Sequence, residues 1–176
     1  MRTVIVAASS LLLVSGLQAQ QKASGANAAA ASIQSVYNDA RTNILKAAEQ
    51  VPEAKYNFQA TKDVRTFGQI LGHIVDAQNN ICSELTSSPK PYATTTEKTV
   101  TTKAGLIAAL KASFAACDAA YAAVSDASLS QQAKLFGQPA TIAGVLTLNA
   151  SHDWEHYGNL VTYMRLMGMV PPSSQG

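Results

Sequence analysis

Two of the three histidines in the chain stand four residues apart, in "SHDWEHYGNL" (Ser151–Leu160), and the third, His73, lies far upstream in "FGQILGHIVDAQ". Each residue of an α-helix advances by about 100°, so residues four apart differ by only about 40° and one turn of height. On a helix, His152 and His156 therefore project side by side, the spacing by which helical zinc motifs bring two imidazoles to one ion. The pair is not the zincin motif, because Asp153 rather than Glu follows the first histidine. His73 sits between Ile70 and Ile74 and next to Ala77, near the apolar face of its own segment. A bundle core could bring it to the other two. Three neutral imidazoles on one ion would leave a coordination position open, the pattern of a catalytic rather than a closed structural centre. Zinc in such surroundings lowers the pKa of a bound water to about 7, which makes a nucleophile for hydrolysis. Imidazole suits several divalent transition metals, with zinc or nickel expected first and iron or copper next. The competing reading is three histidines on three turns of helix with no ion between them.

Hydrolysis also needs a proton acceptor. Asp76, Asp153 and Glu155 are near in sequence. Each reads as a solvated charge or as a partner that orients an imidazole, and no catalytic residue is assigned. Asn149, one turn before His152, either lines a pocket or is a core amide bonded to a neighbouring helix.

The elements that must hold these residues are helical. Of the 176 residues, 47% are hydrophobic but only 6% aromatic. Alanine is abundant, and it is the best helix former, whereas β-rich chains lean on branched and aromatic residues. A first helix is expected from about Ser32 to Val51, where Ile33, Val36, Tyr37, Ala40, Ile44 and Ala47 recur at three- and four-residue steps and Pro52 stops it. A second starts sharply at Thr66, which with Gln69 matches a capping box. A third follows Thr102 as N-cap, with Leu106, Leu110, Phe114, Cys117 and Tyr121 on one face. A fourth follows Thr141 and runs to about Met167, with Gly168 as C-terminal cap and Pro171–Pro172 beyond it. Its inward stripe is Val145, Asn149, His152, His156, Leu160, Tyr163 and Met167. The "LFGQPAT" stretch reads as extended and the threonine-rich "YATTTEKTVTT" as a polar loop. Four amphipathic helices in one chain of this size imply an all-α four-helix bundle.

Residues 1–19 read as a secretory signal: Arg2 is the positive n-region, Val4–Val14 the apolar run and Leu17–Ala19 the cleavage site. An uncleaved N-terminal anchor is the alternative. Residues 20–31 read as a flexible lead-in, 32–172 as the bundle and 173–176 as a loose tail. The expected location is periplasmic or secreted, with no stable membrane insertion once the signal is removed. In an oxidising compartment Cys82 and Cys117, the only two cysteines, can pair and stabilise the fold by about 2–4 kcal/mol. Otherwise they are two buried thiols. A formal charge of +2 without a basic cluster argues against nucleic acid as a partner. A small-molecule substrate of unknown identity is expected, and Trp154 is open to packing or to a homodimer contact.

The segments "TFGQILGHIVDAQ" and "SHDWEHYGNLVTYMRLMGMVPP", with a histidine in the second helix and HxxxH in the fourth, resemble the DinB-like family. That superfamily of four-helix bundles includes metal-dependent hydrolases, thiol-dependent S-transferases and maleylpyruvate isomerases. The resemblance spans about Ser32 to Pro172. It implies the family's bundle, with a long link between the second and third helices, and makes His73, His152 and His156 the ligands of one divalent ion. Export argues against thiol-dependent chemistry, because low-molecular-weight thiols are chiefly intracellular. What remains is a metal-dependent hydrolase or a non-catalytic metal-binding or interaction module on the same bundle.

Overall fold

The computed structural model of the protein describes residues 27–87, 89–90 and 93–175. The expected signal (1–19) and the first part of the lead-in lie outside the described residues.

Four long helices form the bundle: α1 (Ala28–Gln50), α2 (Phe67–Ser83), α4 (Lys103–Ala122) and α5 (Ile142–Leu166), with a short α3 (Thr95–Thr99) before α4. α1 packs on α4 and α5, and α2 packs on the same two, so α1 and α2 occupy opposite corners. This is not the order of a simple up-and-down bundle, in which consecutive helices are neighbours. It places α2 directly against α5, the two helices that carry the histidines.

Local chemistry fixes most helix ends where the sequence puts them. The Thr66 hydroxyl accepts from Gln69 N at 3.1 Å, and the Gln69 side chain accepts from Thr66 N at 2.8 Å, closing the expected capping box. Thr102 and Thr141 cap α4 and α5 by accepting from Gly105 N and Gly144 N. Gly168 takes φ 75° beyond α5, a left-handed conformation that favours glycine. The Lys55 ammonium donates to Met167 O there, and Lys103 donates to Glu49 O and Val51 O at the end of α1, a cation at each negative helix end.

α1 starts four residues before the expected Ser32 because its cap is not local. The Asp126 carboxylate accepts from Ala29 N at 3.1 Å and Ala30 N at 2.8 Å. Asn27 Oδ1 accepts in turn from Asp126 N. A carboxylate nearly a hundred residues away thus satisfies the free donors of the alanine run and complements the helix dipole. The tail is likewise tied rather than loose. Ser173 N donates to Tyr157 Oη at 2.9 Å, the Gln175 amide donates to Gln50 Oε1 at 3.0 Å, and Pro172 is buried.

The expected extended stretch is a small antiparallel hairpin, β1 (Gln132–Leu135) with β2 (Gln138–Thr141), Leu135 facing Gln138. Its two turn residues, Phe136 and Gly137, both have positive φ, the backbone a tight two-residue hairpin requires. α3 interrupts what reads in sequence as a polar loop.

Inside the bundle, Tyr37 and Tyr121 stack with ring centroids 4.1 Å apart. The Tyr37 hydroxyl donates to Asp118 and Tyr121's to Leu146 O, so both aromatic bodies are buried with their polar tips satisfied. Cys82 of α2 and Cys117 of α4 are bridged, with Cα atoms 5.3 Å apart. Both are buried in the same core cluster. Replacing either cysteine with serine is expected to lower unfolding free energy by about 2–4 kcal/mol, read from urea titrations. The second replacement should add little, since the first already abolishes the cross-link.

Candidate metal centre

His73 projects from the middle of α2 towards α5, and His152 and His156 project back from successive turns of α5. His152 Nε2 lies 3.2 Å from His73 Nε2 and 3.1 Å from His156 Nε2. One ligand nitrogen from each residue falls within 4.8 Å of the other two. The structure thus brings together all three of the sequence's candidates. Two histidines bound to zinc at tetrahedral angles and the usual ~2.0–2.1 Å would have nitrogens ~3.3 Å apart, close to what is observed. The donor set therefore fits a divalent transition ion.

Hydrogen bonding among the rings satisfies the cluster only in part. Each imidazole nitrogen either carries a proton or offers a lone pair. Both close contacts are made by His152 Nε2, which carries at most one proton, so its two neighbours at best share a single hydrogen. His73 is assigned by its far side: its Nδ1 meets Glu97 Oε2 at 3.2 Å, and a carboxylate only accepts. The proton therefore sits on Nδ1 and the Nε2 lone pair faces the cluster. His156 Nδ1 has the Asn159 amide at 3.4 Å, and His152 Nδ1 is buried without a hydrogen-bond partner.

The surroundings keep the rings neutral. Burial pulls the pKa of His156 down to about 3, helped by repulsion from His152, His73 and Arg65. Burial lowers His152 to about 4, with His73 and Arg65 adding to it. His73 is also lowered, by burial and then by Arg65, against the opposing pull of Glu97. Neutral imidazole is the form that ligates.

Glu97 is the residue that sequence reading missed. Besides meeting His73, it accepts from Arg65 Nε at 2.9 Å. α3 carries it into place, and α2 is shaped to receive α3. The buried Asp76 carboxylate accepts from Thr96 N at 3.0 Å and Glu97 N at 2.9 Å. A Cβ on Gly72 would stand 2.6 Å from Glu97 Cα and 2.9 Å from its nitrogen, so only glycine allows this approach. One turn of α2 thus supplies the His73 imidazole, the room at Gly72 and the anchor at Asp76.

The other polar residues near the pair differ from expectation. Asp76 is not a solvated charge but the anchor of α3. Asp153, also expected to be solvated or to orient an imidazole, is fully buried and accepts from Gln78 Nε2 of α2 at 2.7 Å. Burial raises its pKa well above the usual carboxylate range. Asn149 is the core amide, donating to Gln78 Oε1 at 2.9 Å and accepting from the Tyr121 hydroxyl at 3.1 Å. Glu155 is exposed. Trp154 packs within the chain, donating to Val36 O at 2.9 Å and meeting Tyr157 edge to face.

An open cavity of about 570 Å³ adjoins the cluster, with His156, Glu97, Arg65, Gln69 and Tyr163 in its wall. A small molecule entering it reaches the face of the site where His156 and Glu97 stand.

Residues 37–160 match the family model described as the DinB superfamily. Two solved structures have a similar fold. One is a DinB-like protein from Bacillus cereus ATCC 10987, with a TM-score of 0.68 at 18% identity, covering 80% of this chain and 93% of that one. The other is a DinB-like protein (YjoA) from Bacillus subtilis, with a TM-score of 0.63 at 18% identity, covering 82% of this chain and 98% of that one. No curated protein matches the chain.

Two outcomes follow from this geometry. In metal-free protein, the imidazole resonances of His152 and His156 should not titrate between about pH 7 and pH 5, whereas an unperturbed histidine is half-protonated near 6.5. Both shifts are downward, so the rings stay neutral as pH falls through that window; an NMR midpoint near 6.5 for either would contradict the burial argument. Gly72→Ala should push α3 off α2. Amide exchange at Thr96 and Glu97 then accelerates and stability falls by about 1–3 kcal/mol, while far-UV circular dichroism of the bundle is kept.

Proposed function

The chain belongs to the DinB superfamily, and from that premise we propose that His73, His152 and His156 hold one divalent transition-metal ion and that the protein is an exported metal-dependent hydrolase. The observation that carries the reading is the convergence of three neutral imidazoles, from two helices, beside an open cavity. Zinc or nickel is the expected ion, with iron or copper next. Bound there, the ion would supply Lewis acidity and a water of lowered pKa.

The chain's own residues do the rest. Glu97 accepts the Nδ1 proton of His73, which keeps Nε2 free as a donor and the ring in one orientation. Arg65 holds the other oxygen of Glu97 and so stops that carboxylate from turning away. Gly72 and Asp76 fix the backbone from which Glu97 reaches. The cavity admits substrate on one side, while packed apolar residues of α2 and α5 exclude water on the other. The Cys82–Cys117 bridge supports the export part of the reading, because such bridges form and persist in oxidising compartments.

Elemental analysis of the mature protein, its N-terminus following Ala19, is expected to find one transition-metal ion per chain. His152→Ala should lose it. Glu97→Gln should keep the ligands but bind the ion about 10–100-fold more weakly in chelator competition. Ester, amide and phosphoester substrates then identify the bond cleaved. Native protein that takes up no ion under any loading condition would overturn the proposal. A stoichiometric ion with no turnover across all three substrate classes would leave a binding module instead.

A further inference from the structure

The cavity beside the three histidines carries information about what enters it. Its wall combines an apolar strip (Val64, Ile70 and the ring of Tyr163) with two cations, Lys62 and Arg65. Arg65 is held as a fixed donor rather than a loose surface charge. Its backbone carbonyl accepts from the Tyr163 hydroxyl at 2.7 Å, and its Nε is bound to Glu97. That bond uses the inner edge of the guanidinium. Among the described residues the Nη groups have no hydrogen-bond or ion-pair partner, and the side chain is 43% exposed. They are what an incoming molecule meets. Among the described residues the Lys62 ammonium is likewise unpaired, and Asp63 is the one anion in the wall without a partner; both are exposed.

We propose that this cavity binds a small molecule bearing a carboxylate, which Arg65 takes through its Nη groups with Lys62 beside it, while an apolar body lies along Val64, Ile70 and Tyr163. The inference rests on the proposed function and adds the substrate class. A planar guanidinium with its outer donors free matches the two oxygens of a carboxylate, and a charge-assisted pair of this kind is about twice as strong as a neutral one. The anchor stands at the side of the cavity, where Glu97 links it to His73. A molecule held by its carboxylate at Arg65 therefore presents its remaining length to the histidine face. Arg65, Glu97 and His156 stand in one cavity wall, and Glu97 joins Arg65 to His73. The anchor and the reacting face thus belong to one site.

The test titrates the mature protein, metal-free and zinc-loaded, with 3-phenylpropanoate, its primary amide and 2-phenylethylamine, following amide NMR shifts around the cavity. The carboxylate is expected to bind at least about tenfold more tightly than the amide in both forms, and the amine not at all. Arg65→Gln should abolish the preference, Arg65→Lys should restore part of it and Lys62→Gln should weaken it. The metal-free titration reads this loss independently of any effect of Arg65→Gln on ion binding through Glu97. A preference confined to zinc-loaded protein and unchanged in Arg65→Gln would place the anion on the ion and overturn the proposal. Equal binding of acid and amide would overturn it as well. If native protein takes up no ion, the metal-free titration still decides the anion site, so the two readings fail separately.

Discussion

Two ring nitrogens brought within hydrogen-bonding reach of a third inside a helical seam cannot both be fully satisfied by its one proton, and the rest of the site is organised around that fact. A cluster of this kind disperses unless something holds it. Here the holding is done by backbone: α2 and α5 are packed directly together, and the histidines leave them one turn apart on α5 and from mid-helix on α2. Desolvation removes the easy escape of protonation, since each ring is driven towards its neutral form. A single cation at the centre would face all three lone pairs at once. A proton on His152 Nε2 can only be shared between its two close contacts.

Rigidity comes from the side of the helices away from the cavity. Along α2, His73 is followed by Gln78 and then Cys82, each about a turn further on. Gln78 receives Asn149 and donates to Asp153, Asn149 receives Tyr121, and Cys82 is bridged to Cys117. A connected polar network and a covalent link therefore join α2 to both of its neighbours just below the cluster. Such a network specifies one arrangement of helices, because each of its members loses a partner if a helix slides. The opposite end of α2 is built differently, from the capping box at Thr66, the loop through Arg65 and the short α3, and this is the end that opens to solvent.

The sequence was informative wherever the physics is local. Helical spacing put His152 beside His156, Thr66 with Gln69 announced a helix start, and Pro52 and Gly168 marked ends, because each depends on residues within one turn. It was silent where the partner is distant. Nothing near Ala28 reveals that Asp126 caps α1, so the helix seemed to start later. Nothing in "TTTEKT" reveals that Glu97 reaches His73, because α3 has no apolar period and owes its position to Asp76 on another element. Gly72, immediately before His73, was the one available hint, a residue without a side chain where a second backbone has to come close. Asp153 misled for the same reason: a carboxylate in a helix reads as solvated until the amide that receives it, Gln78, is seen across the interface.

The charge balance explains why a carboxylate stands behind one ligand rather than among them. An ion on three neutral imidazoles keeps its full charge, whereas a ligating carboxylate would cancel part of it and weaken its pull on a bound water or carbonyl. Glu97 acts at one remove, through His73, and its own charge is balanced by Arg65. The Arg65 charge would also oppose a cation nearby, the same sense in which, after burial, it helps to keep the histidines neutral. On the proposed reading, the arrangement would give up some affinity for the ion and leave the centre strongly electrophilic. The Arg65 guanidinium at the cavity wall, already paired through Nε with Glu97, keeps its outer donors towards the cavity. On the proposed reading, a substrate with an anionic group would bring a second negative charge to that wall as it binds.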